Sequence, residues 1–268
     1  MQPFDPALHR ALTEILSAAG IEDALLEAQW ICEDIPDADR ALEIAHRRAN
    51  REPLQYLLGK WEFYGLEMRV APGVLIPRAD TETVVEAVLS CIENRADTSV
   101  VDLCTGSGCI ALALKKHLPL AAVTGIELDP AAFAIAEENT KRLGLHVQLQ
   151  RGDVLDPAAA AQFDGLSAVV CNPPYLTDGD MANLQPEVRH EPAMALFGGA
   201  DGLHFYREIT QLWKKSLRPG GLLAYEIGWT QADSVQAILA ENGFCDIEAI
   251  RDLGGNFRAV TGRKEPTA

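Results

Sequence analysis

The segment Asn172-Pro173-Pro174-Tyr175 carries the residue types with the most distinctive chemistry in this chain. It directly follows the apolar run 168–171, which is short enough to predict a buried strand rather than a helix. The two prolines lack a backbone N–H and therefore predict that the strand ends there. Pro173 also favours an extended conformation for Asn172. We expect the segment at the C-terminal end of a strand, where ligands bind in open α/β sheets.

These four residues offer the groups needed to hold a planar –NH2 group. The side-chain oxygen of Asn172 and the carbonyl of Pro173 are two neighbouring acceptors, and the Tyr175 ring can cover the flat face of the bound group. Holding both hydrogens returns electron density to the nitrogen and aims its lone pair, so no ionised base is required. The pattern predicts transfer chemistry on an amide or amine nitrogen. The alternative is a plain loop, because Asn-Pro commonly opens turns.

A second motif lies upstream, between two predicted strands. The segment Cys104-Thr105-Gly106-Ser107-Gly108 leads from a strand at 99–103 into a helix. Its glycines permit a tight turn and the close approach of a ligand. The next predicted strand ends in Glu127, whose carboxylate can accept both hydroxyls of a ribose. This spacing fits a mononucleotide-binding βαβ unit, but the same turn serves NAD, FAD and S-adenosylmethionine, and a turn without any ligand is the alternative.

Together, the motifs resemble those of the HemK/PrmC family, the glutamine N5-methyltransferases that modify peptide chain release factors. Their order is similar to that of class I S-adenosylmethionine-dependent methyltransferases acting on amide or exocyclic amine nitrogens. The resemblance runs through most of the chain. It is carried by Asp102, Gly106, Gly108, Glu127, Asp153, the segment from Asn172 to Tyr175, and the segments 75–82, 189–192, 224–228 and 251–256.

The resemblance implies a cofactor, a substrate and roles for individual residues. The cofactor would be S-adenosyl-L-methionine, leaving S-adenosyl-L-homocysteine, with no metal. The substrate would be the Gly-Gly-Gln loop of class 1 release factors, and the N-terminal helices would recognise that partner. The catalytic set would be Asn172, Pro173, Pro174 and Tyr175, with Pro77 and Arg78 nearby. The cofactor-binding set would be Asp102, Cys104, Thr105, Gly106, Ser107, Gly108, Glu127 at the ribose, Asp153 at the adenine amine, Val154 against the adenine ring, and Asn172.

Three residues depart from the pattern of related methyltransferases. Cys104 stands where many have a glycine, so we expect this backbone to avoid a positive φ. Glu127 replaces a frequent Asp and extends the reach by one methylene. Val154 stands where some relatives have an aromatic residue, and we expect the missing stacking contact to weaken cofactor affinity.

Strands and helices alternate from about residue 77 to the end, which predicts an α/β fold with a doubly wound, mostly parallel, seven-stranded Rossmann-like methyltransferase sheet. The last strand pair is expected to include an antiparallel edge strand. A small N-terminal helical bundle precedes this sheet. The expected domains are the bundle at 1–60, a hairpin-like connector at 61–76 and the methyltransferase domain at 77–268.

Composition bears on the partners and the compartment. The formal net charge of −16 disfavours a nucleic-acid partner, because such proteins normally use Lys and Arg on phosphates. No apolar stretch approaches the ~20 residues that span a membrane, and the start of the chain does not resemble a signal peptide. The six cysteines form no Cys-x-x-Cys pair and are read as reduced thiols. We therefore expect a cytoplasmic protein without membrane contact.

Several alternatives remain open at this point. The nearest is a glutamine N5-methyltransferase acting on a ribosomal protein, which shares the catalytic motifs. An adenine-N6 nucleic-acid methyltransferase can use the same Asn-Pro-Pro-Tyr grip but is disfavoured by the charge. An NAD(P)-dependent oxidoreductase explains the glycine-rich turn but leaves the segment from Asn172 to Tyr175 without a role. A binding module without turnover is the last alternative. The roles of Arg78, Glu191 and Glu226 are also left open.

Overall fold

The computed structural model describes residues 5–266, so the outermost residues of the predicted domains, 1–4 and 267–268, lie outside the described part. The described chain begins with four helices, α1 (Pro6–Ala18), α2 (Ala24–Asp34), α3 (Ala38–Ala49) and α4 (Leu54–Leu58). Asp5 caps α1 by accepting from the backbone N–H of Ala7 at 2.9 Å, as expected of Asp before Pro. Fully buried Leu12, Leu16, Ile31 and Ile44 form the centre of this bundle.

A two-stranded hairpin follows the bundle, as the connector pattern predicted. Strands β1 (Lys60–Phe63) and β2 (Leu66–Arg69) pair in antiparallel register. The turn between them has positive φ at both Tyr64 and Gly65, a geometry that suits a two-residue hairpin loop.

The seven-stranded sheet confirms the predicted fold class. Its strands run in the spatial order β5-β4-β3-β6-β7-β9-β8, with the first five parallel to one another. Their bounds are β3 (Ser99–Leu103), β4 (Ala122–Glu127), β5 (Gln148–Arg151), β6 (Leu166–Cys171), β7 (Leu217–Glu226), β8 (Phe244–Arg251) and β9 (Phe257–Lys264).

The antiparallel strand is not at the edge, which corrects the expectation from sequence. Strand β9 is antiparallel to both neighbours and lies between β7 and β8, so β8 forms the edge. The burial of the two strands agrees with this order. Ala259, Val260 and Thr261 of β9 are buried, whereas β8 buries only Phe244 fully and exposes polar residues along the rest of its length. Charged and polar residues along a strand are typical of a sheet edge.

Helices cover both faces of the sheet, and alternate residues of each strand serve opposite faces. Val100 and Val170 face a core formed with α5 and α6, while Val101 and Val169 face a core formed with α10 and α11. The remaining helices complete the crossovers. Their bounds are α5 (Glu82–Cys91), α6 (Cys109–His117), α7 (Pro130–Leu143), α8 (Pro157–Ala160), α9 (Asp178–Ala182), α10 (His204–Trp213) and α11 (Ala232–Glu241).

The basic stretch 46–48 does not form a free cationic surface. Arg48 is 8% exposed and donates to the Glu27 carboxylate at 2.7 and 3.1 Å and to Glu187 at 2.8 Å. Arg47 pairs with Glu52. Within residues 5–266, no helix has the length and apolar character needed to cross a membrane.

Candidate functional site

The two motifs singled out in the sequence meet at the C-terminal ends of adjacent strands. Strands β3 and β6 are parallel neighbours, with Leu103 opposite Cys171. Cys104 and Asn172 therefore leave the sheet side by side. This pairing brings the glycine-rich loop after β3 next to the Asn172–Tyr175 segment after β6, as expected for a ligand site in an open α/β sheet.

The conformation of Cys104 contradicts the expectation from sequence. Its φ is +56°, so this residue adopts the left-handed conformation that a glycine would adopt more easily. Gly106 and Gly108 also have positive φ, at +56° and +82°. The loop thus turns left-handed at every second residue, and the replacement of glycine by cysteine at position 104 did not change that requirement.

Asp102 lies beneath this loop rather than on the surface of a cleft. Its side chain is fully buried and accepts hydrogen bonds from the Thr105 hydroxyl and from the Ala111 backbone N–H at 3.2 Å. The other carboxylate oxygen, Oδ1, is buried without a partner. Burial raises the pKa of Asp102 to about 7, although the hydrogen bond from Thr105 lowers it. Asp102 therefore holds the loop to the start of α6.

Glu127 fixes the same loop from the neighbouring strand. Its Oε2 accepts from the backbone N–H of Gly106 at 2.8 Å, and its Oε1 accepts from the N–H of Asp129 at 2.9 Å. The residue is 9% exposed, at the end of β4. A carboxylate oxygen has a second lone pair, so both oxygens can still accept from a bound hydroxyl group.

A first cleft opens above the glycine-rich loop. Of the residues predicted from sequence, Asp102, Gly108, Pro173 and Tyr175 do not line it, and Pro173 does not line the second cleft described below either. Those that do are Cys104, Thr105, Gly106, Ser107, Glu127, Asp153, Val154, Asn172 and Pro174. Pro77 and Arg78, named as neighbours, also line this cleft.

A second cleft lies on the other side of Asn172. Tyr175 and Glu226 belong to its wall. Asn172, Arg78, Leu75 and Ala195 line both clefts. The Asn172 side chain therefore stands where the two spaces meet, and Tyr175 belongs to the second space alone.

Thr81 and Glu226 support the Asn172–Tyr175 segment from behind. Thr81 is 2% exposed, and its hydroxyl oxygen lies 3.4 Å from Nδ2 of Asn172. The Tyr175 hydroxyl donates to Oε1 of Glu226 at 3.4 Å. Glu226 is 2% exposed, its Oε2 has no hydrogen bond of ordinary geometry, and burial raises its pKa to about 7. Glu226 was left undecided between a structural and an ordering role, and Thr81 carried no signal beyond its place in the segment 75–82.

Glu191, whose role the sequence left open, is bonded to the segment that precedes α5. It is 6% exposed and accepts from the Ile76 backbone N–H at 3.0 Å and from the Arg78 guanidinium. It does not pair with Arg189, which instead donates to the Leu184 carbonyl at 3.1 Å. Glu191 thus ties the loop after Tyr175 to the segment before α5.

Comparison with known proteins places these features in a family. A family model described as the methyltransferase small domain matches residues 67–193. A release factor glutamine methyltransferase from Geobacter sulfurreducens is 42% identical over 92% of each chain. One from Moorella thermoacetica is 40% identical over 94% of this chain and 96% of its own. A solved methyltransferase structure from Pyrococcus furiosus has a TM-score of 0.56 at 18% identity, over 76% of this chain and 91% of that one, and shares the fold.

Proposed function

Because this chain belongs to the family of release factor glutamine methyltransferases, we propose that it methylates a glutamine side-chain amide nitrogen (N5). The methyl donor is S-adenosyl-L-methionine, and the glutamine is that of the Gly-Gly-Gln motif in class 1 peptide chain release factors. The position of Asn172 in the wall shared by the two clefts carries this proposal. A donor in one cleft and an acceptor nitrogen in the other meet at this side chain.

The first cleft suits S-adenosyl-L-methionine. Glu127 keeps one free lone pair on each oxygen for the two ribose hydroxyls. Exposed Asp153 and buried Val154 lie side by side in the wall, a carboxylate for the adenine amine next to an apolar surface for the ring. The glycine-rich loop lies beneath, with Thr105 and Ser107 available to the methionine part. When bound, the cofactor supplies an electrophilic methyl group on a sulfonium.

The second cleft suits the substrate amide. An amide nitrogen is a poor nucleophile because its lone pair is delocalised into the carbonyl. Oδ1 of Asn172 and the carbonyl of Pro173 accept the two amide hydrogens, and the Tyr175 ring packs over the amide plane. This arrangement orients the nitrogen lone pair toward the first cleft and stabilises the positive charge that develops as the bond forms. The proton leaves after methyl transfer, so no ionised base is needed.

The charge of the chain favours a protein substrate over a nucleic acid. The total is −16, and Arg47 and Arg48 of the basic stretch 46–48 are held by carboxylates. We also assign the protein to the cytoplasm, in keeping with free thiols at all six cysteines.

The test uses radiolabelled S-adenosyl-L-methionine with purified release factor. One sample keeps the loop glutamine, and the matched control carries alanine in its place. We expect label on the intact factor alone, located at that glutamine by mass spectrometry. Equal label on both factors would contradict the proposed site. Bound cofactor with no label on either factor would contradict the proposed substrate and direct the search to ribosomal proteins.

A further inference from the structure

We propose that Thr81 and Glu226 are positioning residues that fix the side-chain amide of Asn172 with its oxygen toward the substrate. The inference rests on the proposed function, because it concerns how that function's acceptor oxygen is presented. An asparagine amide has an acceptor end and a donor end of nearly the same shape. Only the acceptor end can receive a hydrogen from the substrate –NH2 group, so the two orientations of Asn172 differ in activity.

The contacts behind Asn172 distinguish those two orientations. Nδ2 of Asn172 faces the Thr81 hydroxyl oxygen at 3.4 Å, which places Oδ1 away from Thr81. Thr81 is 2% exposed, so water does not compete freely for its hydroxyl. In the opposite orientation Oδ1 of Asn172 would face Thr81. That orientation would be stable only if the Thr81 hydroxyl donated its proton to Oδ1.

Glu226 prevents that opposite orientation by taking the proton of Thr81. The carboxylate of Glu226 is buried, its Oε1 accepts from the Tyr175 hydroxyl at 3.4 Å, and the Thr81 hydroxyl is close enough to lower its pKa. Its Oε2 still lacks a hydrogen bond of ordinary geometry, and a buried carboxylate oxygen without a donor is costly. Above its pKa of about 7 Glu226 is a carboxylate that can only accept, so the single Thr81 proton is directed to it and the Thr81 oxygen is left as an acceptor. An acceptor at that point selects Nδ2 of Asn172.

Other contacts hold the two positioning residues in place. The backbone carbonyl of Glu226 accepts from the buried Tyr206 hydroxyl at 3.0 Å. Thr81 donates its backbone N–H to the Arg78 carbonyl at 3.1 Å. Contacts with α10 and with the segment before α5 thus hold the acceptor behind Asn172 in place before any substrate binds.

The first test compares Thr81→Val with Thr81→Ser. Valine keeps the shape of threonine without its hydroxyl, and serine keeps the hydroxyl. We expect T81V to lower kcat for release factor methylation by roughly 10- to 100-fold, with the Kd for S-adenosyl-L-methionine unchanged by calorimetry. T81S should recover most of kcat. Equal kcat in T81V and T81S, whether both are high or both low, would overturn the proposal.

Glu226→Gln is the second variant and does not alter Thr81. The amide that this substitution introduces can donate to the Thr81 oxygen, which frees the Thr81 proton to reach Oδ1 of Asn172. We expect kcat to fall while cofactor affinity is retained and the melting temperature is not lowered. Wild-type kcat in E226Q would show that the carboxylate does not orient Asn172 and would overturn the proposal.

A measurement without release factor separates this inference from the proposed function. In 15N-labelled protein, the Asn172 side-chain amide signals are assigned by their absence in Asn172→Asp. We expect their protons to exchange with solvent faster in T81V than in wild type, and at the wild-type rate in T81S. An unchanged exchange rate in T81V would overturn the proposed orientation of Asn172 by Thr81. A wild-type chain that leaves release factor unlabelled would overturn the proposed function instead, whatever the exchange rates.

Discussion

Nη1 of Arg48 donates to Oε1 of Glu187 at 2.8 Å and so connects the N-terminal bundle to the loop that follows Tyr175. Arg51 reaches the same oxygen at 3.2 Å. Residues 183–185 and Val188, on either side of Glu187, line the second cleft. The helical bundle therefore helps to shape the wall of the space assigned to the substrate.

Glu187→Ala should weaken the use of the protein substrate without weakening cofactor binding. The loss of partly exposed ion pairs is worth ~1 kcal/mol, so we expect an increase of about fivefold in the KM for release factor. The Kd for S-adenosyl-L-methionine should not change. The matched control is Glu43→Ala, which removes exposed pairs with Arg40 and Arg47 inside the bundle. An equal effect of both variants would argue against a role for the contact with the loop.

Asn172→Ala should lower the chemical rate far more than the affinity for the cofactor. Removal of an oriented acceptor in a site of this kind costs roughly 10²–10³ in kcat. Single-turnover methyl transfer and cofactor calorimetry on the same preparation measure the two effects separately. Comparable losses in both, or normal turnover, would contradict the assigned role. Asn183→Ala is a suitable control, because Asn183 also lines the second cleft.

Glu127→Ala should mainly reduce cofactor affinity. It removes two hydrogen bonds from backbone N–H groups to a charged acceptor, at Gly106 and Asp129, in addition to the predicted ribose contact. The backbone bonds are present without cofactor and order the loop, whereas each lost hydrogen bond from a ribose hydroxyl to the charged acceptor costs ~1.5–3 kcal/mol of binding free energy. For the two ribose hydroxyls we expect the Kd to rise by about 100-fold or more. With saturating cofactor, kcat should stay close to that of the wild type. Calorimetry that gives an unchanged Kd would exclude Glu127 from the cofactor site.

Cys104→Val should destabilise the protein, because a β-branched side chain fits poorly at φ +56°. We expect a loss of ~2 kcal/mol in the free energy of unfolding, measured with urea. Cys104→Gly should be tolerated, since glycine adopts this conformation freely. Cys91→Val in α5 controls for the chemistry of replacing a thiol. A greater loss in C91V than in C104V would show that the left-handed backbone is not the cause.

Glu226 should make folding less favourable as the pH rises. Burial raises its pKa to about 7 in the folded state, whereas the unfolded chain releases this proton near pH ~4.3. Between these values the folded state binds the extra proton, so unfolding becomes easier by up to about 1.4 kcal/mol per pH unit.

Glu226→Gln tests this pH dependence by urea unfolding at about pH 5 and pH 8. The difference between the two pH values should shrink in the variant but not vanish, because the raised pKa of Asp102 acts in the same direction. The charged groups that face Glu226 are Asp80 and Arg258, which pair with each other at 3.1 Å. The same difference in variant and wild type would contradict the prediction.

The elements of the fold were largely readable from the sequence because their signals are local. The apolar run before Asn172, the Asp5-Pro6 cap and the turn at Gly65 each specify backbone geometry within a few residues. The position of β9 was not readable in this way. It depends on which of the last two strands pairs with β7, and no pattern within a few residues specifies that non-local contact.

Part of the site was likewise visible in the sequence, and part of it was not. The residues in the glycine-rich loop and in the Asn172–Tyr175 segment were visible because their types and spacing are unusual. Thr81 was not visible, because a lone threonine near the start of a helix forms no distinctive pattern. Its proposed role depends on its contact with Asn172, which follows a different element of the fold. The left-handed φ of Cys104 was also missed, because the turn imposes it whatever residue is present.

The parallel pairing of β3 with β6 has a consequence for how the enzyme becomes active as it is made. The glycine-rich loop and Asn172 lie far apart in the chain and become neighbours only when this ladder closes. Such non-local closure is slow compared with the formation of local helices. During synthesis the N-terminal bundle and the strand leading to the glycine-rich loop emerge first. The two parts of the site can therefore meet only after β6 has been made, whatever local structure has formed before it.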